Sequence, residues 1–592
     1  MRRIPGFALF LLMVLSLMVN PLFAAKPLEW IVVKTPHFTV LTAGRAAEAQ
    51  AWATDLERFR LAMETFLVVD PARLAPVTVV IFSNNGQFKP YKQLQNGKPA
   101  AIDGYFARID NVNAIGLSTA ADDKVQIRRI IFHEATHWFS SARREVQPAW
   151  MDEGMAEVFS TFTADEKTFS VGDAIAGHVA YLREVGVTNP GVLVGTSRDK
   201  INYDDASRTG RFYAGSWALV HWIMFGKKGP GPDSLMRYIE LVKTTGPNAA
   251  FTTAFGGDYD AVEKKLRAYL WGGQYTRAHR DLPAEPLGIE APRKATEAEV
   301  EYALGALLLG ARGPQDGLPR LKRAAALDPA NPIYWETVGF AQLRQGDKPE
   351  ALAAFDRAVE AGSKTGLVWA NRAALREESE YSGGVMVSSD PTDFAQAAND
   401  FRRAIELDPH CEPAYHGLAG LVYGVEPVDP ADEKRLEAGR EAFPDDPWIQ
   451  AGQVALQVRK GTPGAMEKLK QLLAGGALPM QVRQMLENIV EQEKLKVVSE
   501  HIESWQKERR YAELIAELDG LLADDGISTQ NKQELRRTRN QIDQLRRLNE
   551  AVTAINAGRR AEAKALLLKL KEEGAAGGNI RQETERLLQA AE

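Results

Sequence analysis

The sequence has very little cysteine. Cys411 is the single cysteine among 592 residues, and one thiol cannot form an intramolecular disulfide. This excludes a disulfide-stapled scaffold and a cysteine-rich zinc ribbon, so the chain must be held together by its hydrophobic cores. An excess of basic charge is also lacking, because 72 Lys and Arg face 78 Asp and Glu, for a formal net charge of −6. With no strong basic block, we predict no nucleic-acid partner.

Long apolar runs are absent except at the start of the chain. Arg2 and Arg3 precede an apolar run over 7–19, and Ala24-Ala25 offers a small-residue cleavage site. The run is shorter than the ~20 residues of a bilayer-spanning helix. We therefore expect residues 1–25 to be a signal peptide. The protein is then periplasmic or secreted, in the bacterial envelope, and has no stable membrane span after signal removal. An uncleaved N-terminal anchor is the alternative.

The rest of the chain divides into two regions that differ in composition and in hydrophobic periodicity. Residues 26–280 mix helical stretches with β-type runs, which favours an α+β domain. The β-type runs are 30–33, 38–42, 77–82 and 114–117. Residues 281–296 carry three prolines among charged residues, the composition of a linker. Residues 297–592 lose the β signals and are rich in Ala, Leu, Glu, Lys, Arg and Gln, which predicts an all-α region.

The all-α region repeats. Aromatic residues recur at spacings of 34, 46 and 33, and the long interval contains a Gly/Ser-bearing insertion around 381–392; they are Trp335, Trp369, Tyr415 and Trp448. A period of 34 is that of the tetratricopeptide repeat. We predict a tetratricopeptide-repeat solenoid over 297–592, clearest over 298–445, that binds a protein or peptide partner. Unrelated amphipathic helices with an Ala-rich seam are the alternative.

Histidine is scarce as well, yet two of the nine histidines lie four residues apart in His133-Glu134-Ala135-Thr136-His137. Residues four apart on a helix point from one face, so both imidazoles can bind one zinc ion. Apolar residues around them follow the i, i+3, i+4 pattern of a buried helix, where an unliganded imidazole pair would be costly. We therefore predict Zn²⁺ as cofactor, with His133 and His137 as ligands.

The third ligand lies further along the chain. A metzincin would have Gly and His where Ser140 and Arg143 stand, so that class is excluded. Downstream, the segment 150–157, Trp-Met-Asp-Glu-Gly-Met-Ala-Glu, resembles the gluzincin zinc peptidases, and most closely their exported peptidase MA-like families. The resemblance covers about 28–272 and implies a zincin-like fold with Glu153 as third ligand. A solvated acid at a helix start is the alternative for Glu153.

Further roles are suggested around this motif. Glu157, one helical turn beyond Glu153, is placed to accept the ring N–H of a zinc-bound histidine. Residues 104–106 and 113–117 resemble the edge-strand region that lies above the zinc in gluzincins. The segment 212–221 resembles a later helix of those families, in which Tyr213 would donate a hydrogen bond to the oxyanion; a core or rim tyrosine is equally compatible. His221 is predicted to be a packed histidine.

The predicted chemistry is peptide hydrolysis. Glu134 is turned about 100° from His133 toward the open coordination position, where it would take a proton from an activated water and return it to the leaving amine. The alternative is a non-catalytic periplasmic repeat scaffold with a vestigial or structural zinc site, although such a site has no use for a base at Glu134. A zinc hydrolase of a non-peptide amide also stays open, because a site specifies chemistry and not substrate.

Overall fold

The computed structural model describes residues 28–67, 74–110, 112–119, 124–143, 147–201, 206–382, 385–386, 391–422, 429–476, 478–574 and 578–591. The predicted signal peptide lies outside these residues. The chain forms two compact units, which meet in sequence at Lys364 and Thr365. Among the residues described, no helix is long and apolar enough to cross a bilayer.

The first unit is built on a six-stranded sheet with the order β11-β1-β2-β3-β7-β6. Its inner strands β2, β3 and β7 are parallel to one another, and β1, β6 and β11 are antiparallel to their neighbours. Two small sheets accompany it, β10-β9-β8 and β4-β5. The strands are β1 Ile31–Lys34, β2 Phe38–Thr42, β3 Val77–Phe82, β4 Leu94–Gln95, β5 Lys98–Pro99, β6 Gly104–Ile109, β7 Val112–Ser118, β8 Thr163–Ala164, β9 Thr168–Val171, β10 Ala278–Asp281 and β11 Arg293–Lys294. All four β-type runs of the sequence are confirmed as strands.

Helices surround this sheet and continue beyond it in the same unit. They are α1 Ala46–Glu64, α2 Asn85–Phe88, α3 Lys124–Ser141, α4 Ala149–Phe159, α5 Ala176–Val185, α6 Pro190–Val194, α7 Ala206–Phe225, α8 Asp233–Thr245, α9 Pro247–Phe255, α10 Tyr259–Gly272, α11 Glu297–Arg312, α12 Pro314–Leu327, α13 Pro332–Gln345 and α14 Lys348–Glu360. Two short 3₁₀ helices, Lys89–Tyr91 and Arg198–Lys200, complete the unit.

Both faces of the sheet are covered, which explains why β3 and β7 are buried at every residue. Val79 and Ile81 of β3 join the core that includes α1 and α3. Val80 and Phe82, which point to the opposite face, join a second core with α11. The first helix of the predicted repeat region is therefore the outer layer of the sheet.

The segment 281–296 differs from the predicted linker. Within it, β11 pairs with β1, and the backbone N–H groups of Glu290 and Ala295 donate to the carbonyls of Lys34 and Trp30, both at 2.9 Å. Proline favours an extended chain, and here the extended chain runs along the sheet edge, where its remaining N–H groups find acceptors. The segment thus extends the sheet and leads directly into α11.

Helices α11 to α14 pack in consecutive pairs, with glycine on one helix facing a large side chain on the next. A Cβ on Gly339 of α13 would lie 2.4 Å from the ring of Phe355 on α14, and one on Gly305 of α11 would lie 2.9 Å from Leu321 on α12. Glycine is needed at both positions because each approach leaves no room for a side chain. The predicted helix-pair repeat is confirmed here.

The described residues of the second unit are helical apart from a short hairpin, β12 Tyr381–Ser382 with β13 Val385–Met386. That hairpin begins the predicted insertion at 381–392, which lies only partly within the described residues. The helices are α15 Gly366–Glu380, α16 Pro391–Leu407, α17 Glu412–Leu421, α18 Asp432–Ala442, α19 Pro447–Arg459, α20 Ala465–Ala474, α21 Met480–Lys507, α22 Tyr511–Ala523, α23 Thr529–Asn556, α24 Arg560–Glu573 and α25 Gly578–Ala591.

Candidate metal centre

Two helices bring the predicted ligands together. His133, Glu134 and His137 lie on α3, and Glu153 lies on α4. The position of α4 is set by Gly154, because a Cβ there would come within 2.5 Å of the Ser216 carbonyl oxygen and of the Val220 side chain on α7. The glycine of the motif therefore lets α4 pack closely on α7 while its neighbour Glu153 faces α3.

The three ligand atoms form a nearly equilateral triangle. The Nε2 atoms of His133 and His137 lie 3.2 Å apart, and Glu153 Oε2 lies 3.4 Å from each of them. A tetrahedral zinc ion with bonds of about 2.0–2.1 Å separates its ligand atoms by roughly 3.3–3.4 Å. Glu153 Oε2 is also buried without a hydrogen-bond donor among the residues described. The spacing and this unsatisfied oxygen both fit a zinc ion.

Carboxylates lie next to the other ring nitrogen of each histidine. Glu157 Oε1 is 3.6 Å from His133 Nδ1, the position predicted for Glu157. Asp152 Oδ2 is 3.1 Å from His137 Nδ1 and is paired with Arg198. Asp152 was not predicted from the sequence, although it directly precedes Glu153 in the motif.

Glu157 is held by two further side chains that sequence reasoning also missed. Its Oε2 lies 3.1 Å from Arg129 Nη2 and 3.0 Å from His178 Nε2. Arg129 comes from α3, whereas His178 comes from α5. No motif marks either residue, because only the fold brings them beside Glu157.

Glu134 faces a cleft of about 1020 Å³ bordered by β6 and Tyr213. The backbone N–H of Phe106 on β6 donates to Glu134 Oε2 at 2.8 Å. Close packing of β6 on α3 depends on Gly104, since a Cβ there would lie 2.5 Å from Ile130. Residues 104–106 thus lie in an edge strand as predicted, whereas 113–117 lie in β7, which is inside the sheet between β3 and β6. Tyr213 lines the same cleft, its ring centroid 6.1 Å from that of His133.

The electrostatics of the centre follow from burial and proximity. Burial favours neutral His137, but Glu153 and Asp152 outweigh it and raise the pKa of the imidazole well above its ordinary value. Burial likewise opposes ionisation of Glu153, yet the two histidines hold the pKa of that carboxyl far below its usual range. Burial raises the pKa of Glu134. In the absence of metal, protons thus compete for the imidazoles, and cation binding is expected to weaken as pH falls.

His221 lies outside this cluster. Its Nδ1 is 2.7 Å from the Tyr269 hydroxyl and its Nε2 is 2.7 Å from the Gly172 carbonyl oxygen, so both ring nitrogens are hydrogen-bonded. Burial lowers the pKa of this imidazole. The prediction of a packed histidine is confirmed.

No protein-family model and no curated protein matches the chain. Among solved structures, it is similar to YrrB, a tetratricopeptide-repeat protein with an unusual peptide-binding site (15% identity, 32% of this chain and 92% of that chain, TM-score 0.27). It is also similar to a tetratricopeptide-repeat protein of Parabacteroides merdae (15% identity, 50% of this chain and 99% of that chain, TM-score 0.26). A third similar structure is a tetratricopeptide-repeat protein of Thermus thermophilus (17% identity, 33% of this chain and 98% of that chain, TM-score 0.22). The evidence for the repeats is the packing of the helix pairs described above.

Proposed function

We propose that the first unit is a zinc-dependent peptidase. One observation carries the proposal: the ligand atoms of His133, His137 and Glu153 are spaced for a tetrahedral cation, while Glu134 faces the same cleft without joining that triangle. When bound, zinc would supply a Lewis acid for a carbonyl and lower the pKa of a water molecule. Asp152 and Glu157 would hold the two imidazoles in orientation.

Glu134 is the general base of this proposal. The Phe106 N–H fixes its Oε2, which leaves Oε1 to accept a proton from the attacking water and to return it to the leaving amine. Tyr213 would donate its hydroxyl proton to the oxyanion that develops on the scissile carbonyl. The edge strand β6 pairs with β7 on one side and borders the cleft on the other, so an extended peptide can align along it.

We further propose that the protein is exported and that its helical repeats recruit a protein or peptide. The N-terminal sequence pattern supports export, and the helix pairs support the second point, since stacked pairs expose an extended surface suited to protein partners. The non-catalytic scaffold remains the competing function, because it needs the same repeats but no base at Glu134.

The decisive experiment compares wild type with Glu134→Gln and with a control, Glu166→Gln, at an exposed position on the β8–β9 turn. Each protein is analysed for bound zinc and assayed on a broad peptide library. We expect stoichiometric zinc in all three, and a loss of cleavage by a factor of at least about 10² in Glu134→Gln alone. Zinc-loaded wild type that cleaves no peptide would favour the scaffold.

A further inference from the structure

We propose a second divalent-cation site in the second unit, formed by Glu412, His416 and Asp446. Glu412 and His416 are four residues apart on α17, so both side chains point from one face of the helix. Asp446 immediately precedes α19. One ligand atom from each of the three residues lies within 4.8 Å of the others. This site is independent of the peptidase centre.

Two of the three ligands are already fixed in orientation. Asp446 Oδ1 accepts the backbone N–H of Ile449 at 3.0 Å, which caps α19 and turns Oδ2 toward His416 Nε2 at 2.7 Å. The His416 ring stacks on Trp448, with centroids 6.1 Å apart and planes at 30°. Glu412 Oε1 lies 3.8 Å from the same Nε2 and has only to swing inward. Little side-chain entropy therefore remains to be lost when a cation binds.

The charges at this cluster differ from those at Asp400 and Asp432 of the same unit. Within the part of the chain that the structure describes, neither Glu412 nor Asp446 forms an ion pair with lysine or arginine; each pairs with His416 alone. With His416 neutral, the cluster carries two negative charges and one imidazole nitrogen, a set that attracts a cation. By contrast, arginine neutralises two buried acids of the same unit: Asp400 pairs with Arg372, and Asp432 with Arg402.

The ligand chemistry indicates the type of cation. One imidazole nitrogen with two carboxylate oxygens is a mixed set that suits Zn²⁺ and neighbouring divalent transition metals. The imidazole would bind through Nε2 with its proton on Nδ1. Glu412 and His416 line a pocket of about 550 Å³ with Asn371 and Trp448, so water or a partner's side chain can complete the coordination.

The test is zinc stoichiometry of the full-length protein, measured by elemental analysis after equilibration with Zn²⁺ and gel filtration. It compares wild type with His416→Asn and with Asp446→Asn, which keeps the oxygen that caps α19 but removes the charge. Glu437→Gln, an exposed acid on the neighbouring α18, is the matched control. Each protein is also prepared in a second background that carries His133→Asn and His137→Asn, which removes the metal centre of the first unit.

We expect both His416→Asn and Asp446→Asn to lose one equivalent of zinc in either background, while Glu437→Gln loses none. Circular dichroism checks that the helices are intact. If His416→Asn misfolds, the zinc stoichiometry of Asp446→Asn tests the proposal. Zinc binding that is equal in wild type and Asp446→Asn, in both backgrounds, overturns the proposal and leaves the centre at His133 untouched. The proposal is also overturned if only the His133→Asn and His137→Asn changes reduce the amount of bound zinc.

Discussion

Asp152 shows how a single residue beyond the ligand triangle can govern the centre. Its carboxylate lies between His137 Nδ1 at 3.1 Å and the Arg198 guanidinium. Burial opposes its ionisation, but His137 and Arg198 outweigh this and lower the pKa of the Asp152 carboxyl. It therefore stays ionised and can hold the proton on His137 Nδ1, which leaves Nε2 free to bind a cation.

We predict that Asp152→Asn weakens zinc binding by about 10- to 100-fold, because the amide orients His137 less firmly and makes the imidazole a weaker donor. Competition with a chromogenic chelator at pH 7 measures the affinity. Glu166→Gln serves again as the control and should bind zinc like wild type. Unchanged affinity in Asp152→Asn would mean that His137 is oriented without it.

Among the individual residues of the site, those that belong to a sequence motif could be predicted. The helical spacing of His133 and His137, and the motif around Glu153, led to three side chains that the structure places together. Asp152 and His178 were missed for a physical reason: their roles depend on how α4 and α5 pack, and no local periodicity encodes that packing. Tyr213 was found only through family resemblance, and its role stays a prediction.

Among the elements, the packing of α4 on α7 is sensitive to small changes, because Gly154 lies at their contact. Helix propensity alone would make Gly154→Ala stabilising by about 1 kcal/mol. A Cβ 2.5 Å from the Ser216 carbonyl forces the helices apart, and such overpacking typically costs about 1–3 kcal/mol. We predict that Gly154→Ala lowers both the thermal midpoint and the zinc affinity, because Glu153 moves with its helix.

Gly177→Ala is the matched control for this prediction. Gly177 lies in α5, and a Cβ there would meet nothing within 4 Å. We expect this variant to keep the wild-type zinc affinity and to melt at the same temperature or slightly higher. If both variants behaved alike, the close contact between α4 and α7 would not be limiting.

Glu299 connects the first repeat helix to the sheet. It completes the capping box of α11 with Thr296, and its carboxylate pairs with Lys34 of β1 and Arg293 of β11. Burial opposes its ionisation, but Arg293, Lys34 and the Thr296 N–H outweigh this and lower the pKa of the carboxyl to about 2. The charge on Glu299 therefore stabilises the folded state above the unfolded pKa of about 4.3.

We predict that Glu299→Gln destabilises the protein by about 1–2 kcal/mol at pH 7, a value reduced for solvent screening. Gln still serves in a capping box, so the change removes mainly the charge. As pH falls from 4.3 toward 2, wild-type Glu299 is protonated and loses the same stabilisation. The difference in thermal midpoint between the two proteins should therefore shrink over that range.

Glu297→Gln tests whether any acid in the first turn of α11 stabilises the protein as Glu299 does. Glu297 pairs with Arg323, and both side chains are more than half exposed, so we expect a loss under about 1 kcal/mol. A midpoint difference for Glu299→Gln that stayed constant down to pH 2 would contradict the role given to its charge.

Some helices and strands could be predicted from the sequence, whereas others could not. Strands such as Val77–Phe82 were predicted because continuous β-branched and aromatic residues mark a strand buried on both faces. The pairing of 293–294 with β1 was missed, since proline and charge in a segment indicate extended chain but not whether that chain meets a sheet edge. Repeat helices were predictable because aromatic residues recur at a period close to 34.

On the scale of the whole chain, the boundary between sheet and repeats is not where composition changes. Leu307 of α11 packs so closely on the sheet that a Cβ on Gly116 of β7 would lie 3.0 Å from it. The Tyr105 hydroxyl donates to the carbonyls of Tyr91 and, across to α11, Leu307. The helix that begins the repeats therefore also completes the sheet, so the first unit should tolerate loss of later helices better than loss of α11.

We predict opposite outcomes for two truncations. A chain of residues 28–364 keeps both sheet faces covered and should fold, bind zinc and retain whatever peptidase activity wild type shows. A chain of residues 28–290 lacks β11 and α11, so it exposes the apolar face that includes Trp30, Val80 and Phe82, and chains that expose such a patch tend to aggregate. Gel filtration and thermal melting distinguish the two. A monomeric, cooperatively melting 28–290 would show that the sheet needs no second helical layer and that composition does mark the boundary.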